Sequence, residues 1–129
     1  MTHLLNALSQ AVGLVLAAAA RRTSTLTGTG IDVLAYEGVA LVVLNASAGT
    51  GTNPTLDVKL QHSDNDSTYA DVTGGTFTQV TDVAGSAGVQ VKRINVSDLK
   101  RYVRVIGTIA GTTPSFDFAV EFVGIEKAS

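Results

Sequence analysis

Leu56-Asp57-Val58-Lys59-Leu60-Gln61-His62-Ser63, followed by the polar run Asp64-Asn65-Asp66-Ser67-Thr68 and then Tyr69-Ala70-Asp71-Val72, is the stretch whose reading decides the fold. Side chains of an extended chain alternate with period two, so Leu56, Val58, Leu60 and His62 share one face while Asp57, Lys59 and Gln61 share the other. A half-buried antiparallel strand has this pattern. The Asx-rich segment after it reads as the turn of a hairpin, with the second strand resuming at Tyr69.

The same alternation recurs on both sides of the hairpin. Val103, Val105, Gly107 and Ile109 fall on one face of residues 101–110, and Phe116, Phe118, Val120 and Phe122 on one face of residues 115–125. Three of the four phenylalanines lie in that last segment, which makes it the heaviest contributor to a core. Ile31 to Tyr36 reads as a strand behind the Gly28-Thr29-Gly30 turn, and Phe77 to Val80 as a short strand behind Gly74-Gly75. Val39 to Leu44 is an unbroken apolar run, the mark of a central strand covered on both faces. Val89 and Val91 share one face whereas Ile94 and Val96 share the other, a switch of phase that a β-bulge or a strand crossing between sheets produces. Strands this short, with turn signals every ~8–12 residues, predict an all-β fold, an antiparallel β-sandwich or jelly-roll-like domain of about eight strands over residues 23–129.

Residues 1–22 precede it as an apolar N-terminal arm or short helix. Leu4, Leu5, Leu8, Val12, Val15, Leu16 and Ala19 recur at spacings of three and four, which is helical. An extended arm would also suit Val12 to Leu16. The unbroken apolar run from Ala11 to Ala20 is shorter than the ~20 residues that cross a bilayer. A secretory leader is disfavoured, because the cations Arg21 and Arg22 follow the apolar run instead of preceding it. The arm is expected to pack on its own sheet or on a neighbour.

The chain has 129 residues, no cysteine and a net charge of −2. Disulfides, zinc ribbons and thiol nucleophiles are thereby excluded, and no electrostatic footprint for nucleic acid or an anionic membrane is present. Charged residues are 16% of the chain, against about 25% in ordinary soluble domains, and the mean hydropathy is +0.28. Two readings follow: a small β protein with a Ser- and Thr-rich surface, or a subunit whose surface is partly covered by neighbours.

Motifs for chemistry fail on geometry. His62-Ser63-Asp64 holds the residue types of a hydrolase triad, but neighbours on a strand point to opposite faces and cannot form its relay. Asp64-Asn65-Asp66-Ser67 begins like a calcium loop, yet Tyr69 stands where the EF-hand needs Gly and Gly75 where it needs Glu. The glycine-rich stretches lack the Lys-Ser or Lys-Thr of a phosphate cradle. No cofactor, metal, small-molecule substrate or catalytic residue is expected. Lys100-Arg101-Tyr102-Val103-Arg104 is more informative. Lys100, Tyr102 and Arg104 lie opposite Val103 and Val105, either as a solvated face that discourages edge association or as a contact surface, where Tyr and Arg are enriched.

In these residues the chain resembles small structural proteins of tailed bacteriophages, particularly capsid decoration (cement) proteins. The resembling elements are Gly28-x-Gly30-Ile31-Asp32, Tyr36-Glu37-Gly38, Val58-Lys59-Leu60-Gln61-x-Ser63-Asp64 with Tyr69-Ala70-Asp71-Val72, and Lys100-Arg101-Tyr102-Val103-Arg104-Val105, in that order over residues 28–125. The resemblance implies a non-enzymatic virion protein, made in the host cytoplasm, that coats the capsid exterior as a trimer or dimer and binds the major capsid protein. Candidate contacts are then Leu4, Leu8, Val12, Val15, Leu16, Arg21 and Arg22 in the arm, with Lys100, Tyr102 and Arg104. A neck, tail or baseplate component fits the same pattern. A carbohydrate-binding module of a tail fibre fits less well, since there is no Trp and only Tyr36, Tyr69 and Tyr102 could stack on sugars.

Overall fold

A computed structural model describes residues 11–127. Its organising element is the last strand, β8 (Tyr102–Glu126), which runs for 25 residues and belongs to both sheets. Sequence alternation suggested two separate strands here. They are one strand bent at a corner, where Gly111 has φ +118° and Thr113 has φ +47° ahead of Pro114.

All other strands take their place from β8. Along one edge lie β4 (Tyr36–Ala46), paired with its second half, and β5 (Thr50–Ser63), paired with its first half and corner. Along the other edge lie β1 (Ala11–Arg22) beside the second half, and the two-residue strands β2 (Leu26–Thr27) and β3 (Ile31–Asp32) beside the first. The hairpin strand β6 (Ala70–Thr76) extends the sheet from β5, and β7 (Gly88–Asn95) extends it from β4. Every pairing is antiparallel, and the path β6-β5-β8-β4-β7 curls until β6 approaches β7. The result is a jelly-roll-like sandwich nearly closed into a barrel, in which the expected strand class and inward faces are present.

The core is the predicted one. Phe116, Phe118, Val120 and Phe122 face Leu56, Val58, Leu60, Val103 and Val105, all buried. The Tyr36 ring meets Phe122 edge-on at 5.5 Å. Gly107 leaves room for a ring, since a Cβ there would stand 3.0 Å from the Phe118 side chain.

Four local expectations are corrected. Ile31 to Tyr36 is not one strand: β3 ends at Asp32 and β4 begins at Tyr36, with a turn between in which the Tyr36 N–H donates to the Val33 carbonyl at 3.1 Å. Residues 11–22 form a strand, not a helix, and no α-helix occurs among the described residues. Leu14 pairs with Phe122 and Leu16 is buried, so the strand feeds the core, and two register shifts after Val15 accommodate the alanines. Phe77 to Val80 is not a strand: Phe77 N–H donates to the Val58 carbonyl at 2.9 Å, while Val80 and Leu56 exchange bonds of 3.0 and 2.8 Å. No bulge explains the phase switch in β7, whose register with β4 is unbroken from Asn95 to Gly88. Val89 and Val91 point outward to solvent, and Ile94 points inward.

Candidate functional site

The sandwich has two outer faces of different character. On the outer face of β5, β6 and the first half of β8, the polar residues of the opening hairpin are knitted together. Gln61 pairs with Arg104 across the strands and with Asp71 on the other side. Arg104 donates from Nε and Nη2 to Gln61 Oε1 at 2.9 and 2.8 Å, and Gln61 Nε2 donates to Asp71 Oδ1 at 2.9 Å. Lys59 Nζ lies 3.0 Å from Asp71 Oδ1. The bond from Gln61, then that from Lys59, holds the Asp71 carboxyl below its ordinary pKa.

Tyr69 closes this network from above. The Arg104 guanidinium sits 3.9 Å from the centre of its ring, a cation–π contact, and the Tyr69 hydroxyl donates to Asp66. Burial, then the bond and charge of Asp66, push the Tyr69 phenol up to about 12. Beside them, Arg101 lies 5.3 Å from the Tyr102 ring centre and donates to Asp32 Oδ2 at 2.9 Å. Lys100 stands at the margin, 3.7 Å from Asp64. Of the expected contact trio, Tyr102 and Arg104 therefore share one half-buried face, and Lys100 borders it. Tyr69 and Gln61 belong to the same surface and carried no signal as contacts, because only the register with β8 brings them to Arg104.

The arm residues separate. Leu4 and Leu8 lie outside the described residues, as does the side chain of Val12. Leu16 is a core residue and cannot reach a partner. Val15 is 58% exposed. Arg21 is bonded to Asp117 at 2.9 Å, whereas Arg22 lies 4.6 Å from the centre of the Phe118 ring and donates to the carbonyls of Phe118 and Ala18. Arg22 thus closes the end of its own core and ties down the irregular part of β1.

The motifs with apparent chemistry are occupied structurally. His62 Nδ1 accepts from the Lys100 N–H, Ser63 Oγ donates to Asn65 Oδ1, and Asp64 meets Lys100. Burial and then the Lys100 charge lower the His62 pKa. No three acidic or histidine side chains are placed to hold a metal among the described residues. A half-open cleft of about 360 Å³ lies where β3, β4 and the turn at Val96–Asp98 meet. Its lining combines Leu34, Tyr36, Val96 and Leu99 with one carboxylate, Glu37, and the cations Lys100, Arg101 and Lys127. No helix among the described residues is long and apolar enough to cross a membrane.

The other outer face, on β1, β4, β7 and the second half of β8, mixes exposed apolar side chains with the polar Asn45, Arg93, Asn95 and Glu121. Val39, Leu41, Val89 and Val91 are exposed on it, with Val15 at its border. Val39 to Leu44 therefore has one covered face, formed by Ala40, Val42 and Leu44, and one open face.

The fold is shared with known proteins. The PBSX exported protein XepA superposes with a TM-score of 0.54 at 22% identity, over 92% of this chain and 38% of that one. The VP2 subviral particle of infectious bursal disease virus gives 0.55 at 12% identity, over 90% of this chain and 32% of that one. The SPBc2 prophage-derived protein YomS gives 0.50 at 12% identity, over 88% of this chain and 93% of that one. The chain thus spans only 38% of the XepA chain and 32% of the VP2 chain. No protein-family description matches it, and no curated protein is similar to it at a significant level.

Proposed function

We propose that this chain is a non-enzymatic structural protein of a tailed-phage virion, which coats the outside of the capsid as a symmetric oligomer and strengthens the shell. The observation that carries this reading is the fold: the same β architecture occurs in the PBSX exported protein XepA, in the prophage-derived protein YomS and in VP2 of a viral subviral particle. Fold alone does not imply function. The likeness is supported by the surface, which offers a polar, aromatic and arginine-bearing face of the composition that interfaces favour.

In this reading the Gln61, Tyr69, Tyr102 and Arg104 face meets the major capsid protein, and Lys100 supplies a peripheral charge. The tyrosines argue against the carbohydrate-binding alternative. Tyr36 is buried in the core, and the rings of Tyr69 and Tyr102 are each covered by a guanidinium. A platform for a sugar needs an open ring.

The test is co-sedimentation of the purified chain with empty capsids of the parent phage, together with its copy number in purified particles. Hundreds of copies, and binding abolished by Arg104→Glu, are expected. A few dozen copies or fewer would place the chain in a neck, tail or baseplate instead.

A further inference from the structure

The face made by β7, β4, β8 and β1 breaks the rule that the outer side of an antiparallel sandwich is polar. Val89 and Val91 are 63% and 52% exposed and Leu41 is 38% exposed, on adjoining strands. The register fixes their arrangement. Glu121, Val43 and Val91 form one row across β8, β4 and β7, and Val123, Leu41 and Arg93 form the next. Four side chains of this grid are apolar, and the two charged ones, Glu121 and Arg93, stand at opposite corners. Both are exposed, two strands and two residues apart, about 12 Å on sheet spacings.

We propose that this face is the contact between two copies of the chain, related by a two-fold axis. The charge pattern argues for a second copy as the occupant. An axis crossing the Glu121 to Arg93 diagonal lays Arg93 of each copy over Glu121 of the other, and brings Leu41, Val43, Val91 and Val123 against their own kind. The strands then cross steeply, in the near-orthogonal class of sheet packing. Such an isologous surface closes at two copies and leaves no open end for fibre growth. Four strands by about seven residues give a flat area of roughly 450 Å² per copy, with the polar Asn45 and Asn95 flanking the apolar grid. That is below the ~800 Å² per partner of a standard interface, so the pair dissociates on dilution. The opposite outer face, with its Arg104 and Tyr69 network, stays free for another partner. The inference does not depend on the virion reading, because it concerns the purified chain alone.

The experiment is light scattering and sedimentation of the full 129-residue chain over a concentration series. The mass should rise from 13.3 kDa toward twice that value. Val91→Asp should weaken association at least about tenfold, by leaving a buried charge unpaired, with an unchanged melting temperature at dilutions where both chains are monomeric, because Val91 is outside the core. Arg93→Glu should weaken it similarly, and the double exchange Arg93→Glu with Glu121→Arg should restore it. A monomer at every concentration, an oligomer of another order, an association that Val91→Asp leaves intact, or a double exchange that fails to restore pairing would each overturn the proposal.

Discussion

The guanidinium of Arg104 is held between two residues of the opening hairpin, with the Tyr69 ring 3.9 Å away on one side and Gln61 Oε1 at 2.8 and 2.9 Å on the other. Arg104 comes from β8, Gln61 from β5 and Tyr69 from the turn just ahead of β6, so this contact joins the centre of the sheet to the hairpin turn. Lysine cannot reproduce it, because a compact ammonium lacks both the planar stacking surface and the fork of donors. Arg104→Lys should therefore cost nearly as much as Arg104→Ala, about 1–2 kcal/mol in either case. Urea denaturation compares the two. A fully stable Arg104→Lys variant would show that charge alone matters at this position.

The hairpin tip is held by one side chain. Asn65 Oδ1 accepts from the Ser67 and Thr68 N–H groups, each at 3.0 Å, and from Ser63 Oγ at 2.9 Å. A generic Asn-Gly turn would fit the sequence pattern but would lose Asp66 and its bond to Tyr69. Asn65→Ala should lower stability by about 1–2 kcal/mol, and should raise amide exchange at residues 66–69 more than in the core strands. Equal exchange in the variant and the parent chain would show that the tip is ordered by something else.

At the corner of β8, two glycines face two backbones. Gly111 has φ +118°, and a Cβ there would stand 2.8 Å from the Asn53 carbonyl oxygen; Gly51 has φ +113°, and its Cβ would stand 2.5 Å from that of Thr113. Neither backbone can move without breaking the pairing of β5 with β8. Gly111→Ala and Gly51→Ala should each cost about 1–3 kcal/mol through left-handed strain and collision together. Gly85→Ala, with φ outside the left-handed region and nothing near its Cβ, is the control and should be neutral. Thermal melts of the three variants check this.

These residues also mark how far the sequence could be read. Alternation identified the buried faces of β5 and both halves of β8, since a period-two pattern and its burial arise from the same local geometry. It could not show that the two halves are one bent strand, because the glycine corner looks like an ordinary turn. In β1, the Leu and Ala spacing matched a helix, while pairing with nine positions of β8 imposed a strand; tertiary context outweighed a weak local preference. The open valines of β4 and β7 were read as covered or as a bulge on the assumption that apolar means inward. That assumption fails on this face, where Val39, Leu41, Val89 and Val91 point outward and are exposed. Within the candidate site, Tyr102 and Arg104 were visible from period two, whereas Tyr69 and Gln61 needed the cross-strand register.

Tyr69 provides a pH signature for the network. Its phenol is raised to about 12, mainly by burial and then by Asp66, whereas an unfolded chain loses tyrosine protons near pH ~10. Between those values the folded state keeps a proton that the unfolded state has released. The stabilisation is therefore whole below about pH 10, and is lost as the pH rises toward about 12. The urea midpoint should fall across this interval, and Tyr69→Phe, which cannot ionise, should flatten the fall. Burial also raises the Tyr36 phenol, helped by Glu126, so ultraviolet titration of the folded chain should show Tyr69 and Tyr36 ionising late. Replacing Asp66 by Asn should bring the Tyr69 step down while leaving Tyr36 unmoved. An unchanged Tyr69 step in that variant, or an alkaline fall that Tyr69→Phe leaves intact, would mean that the Asp66, Tyr69 and Arg104 arrangement does not govern this part of the stability profile.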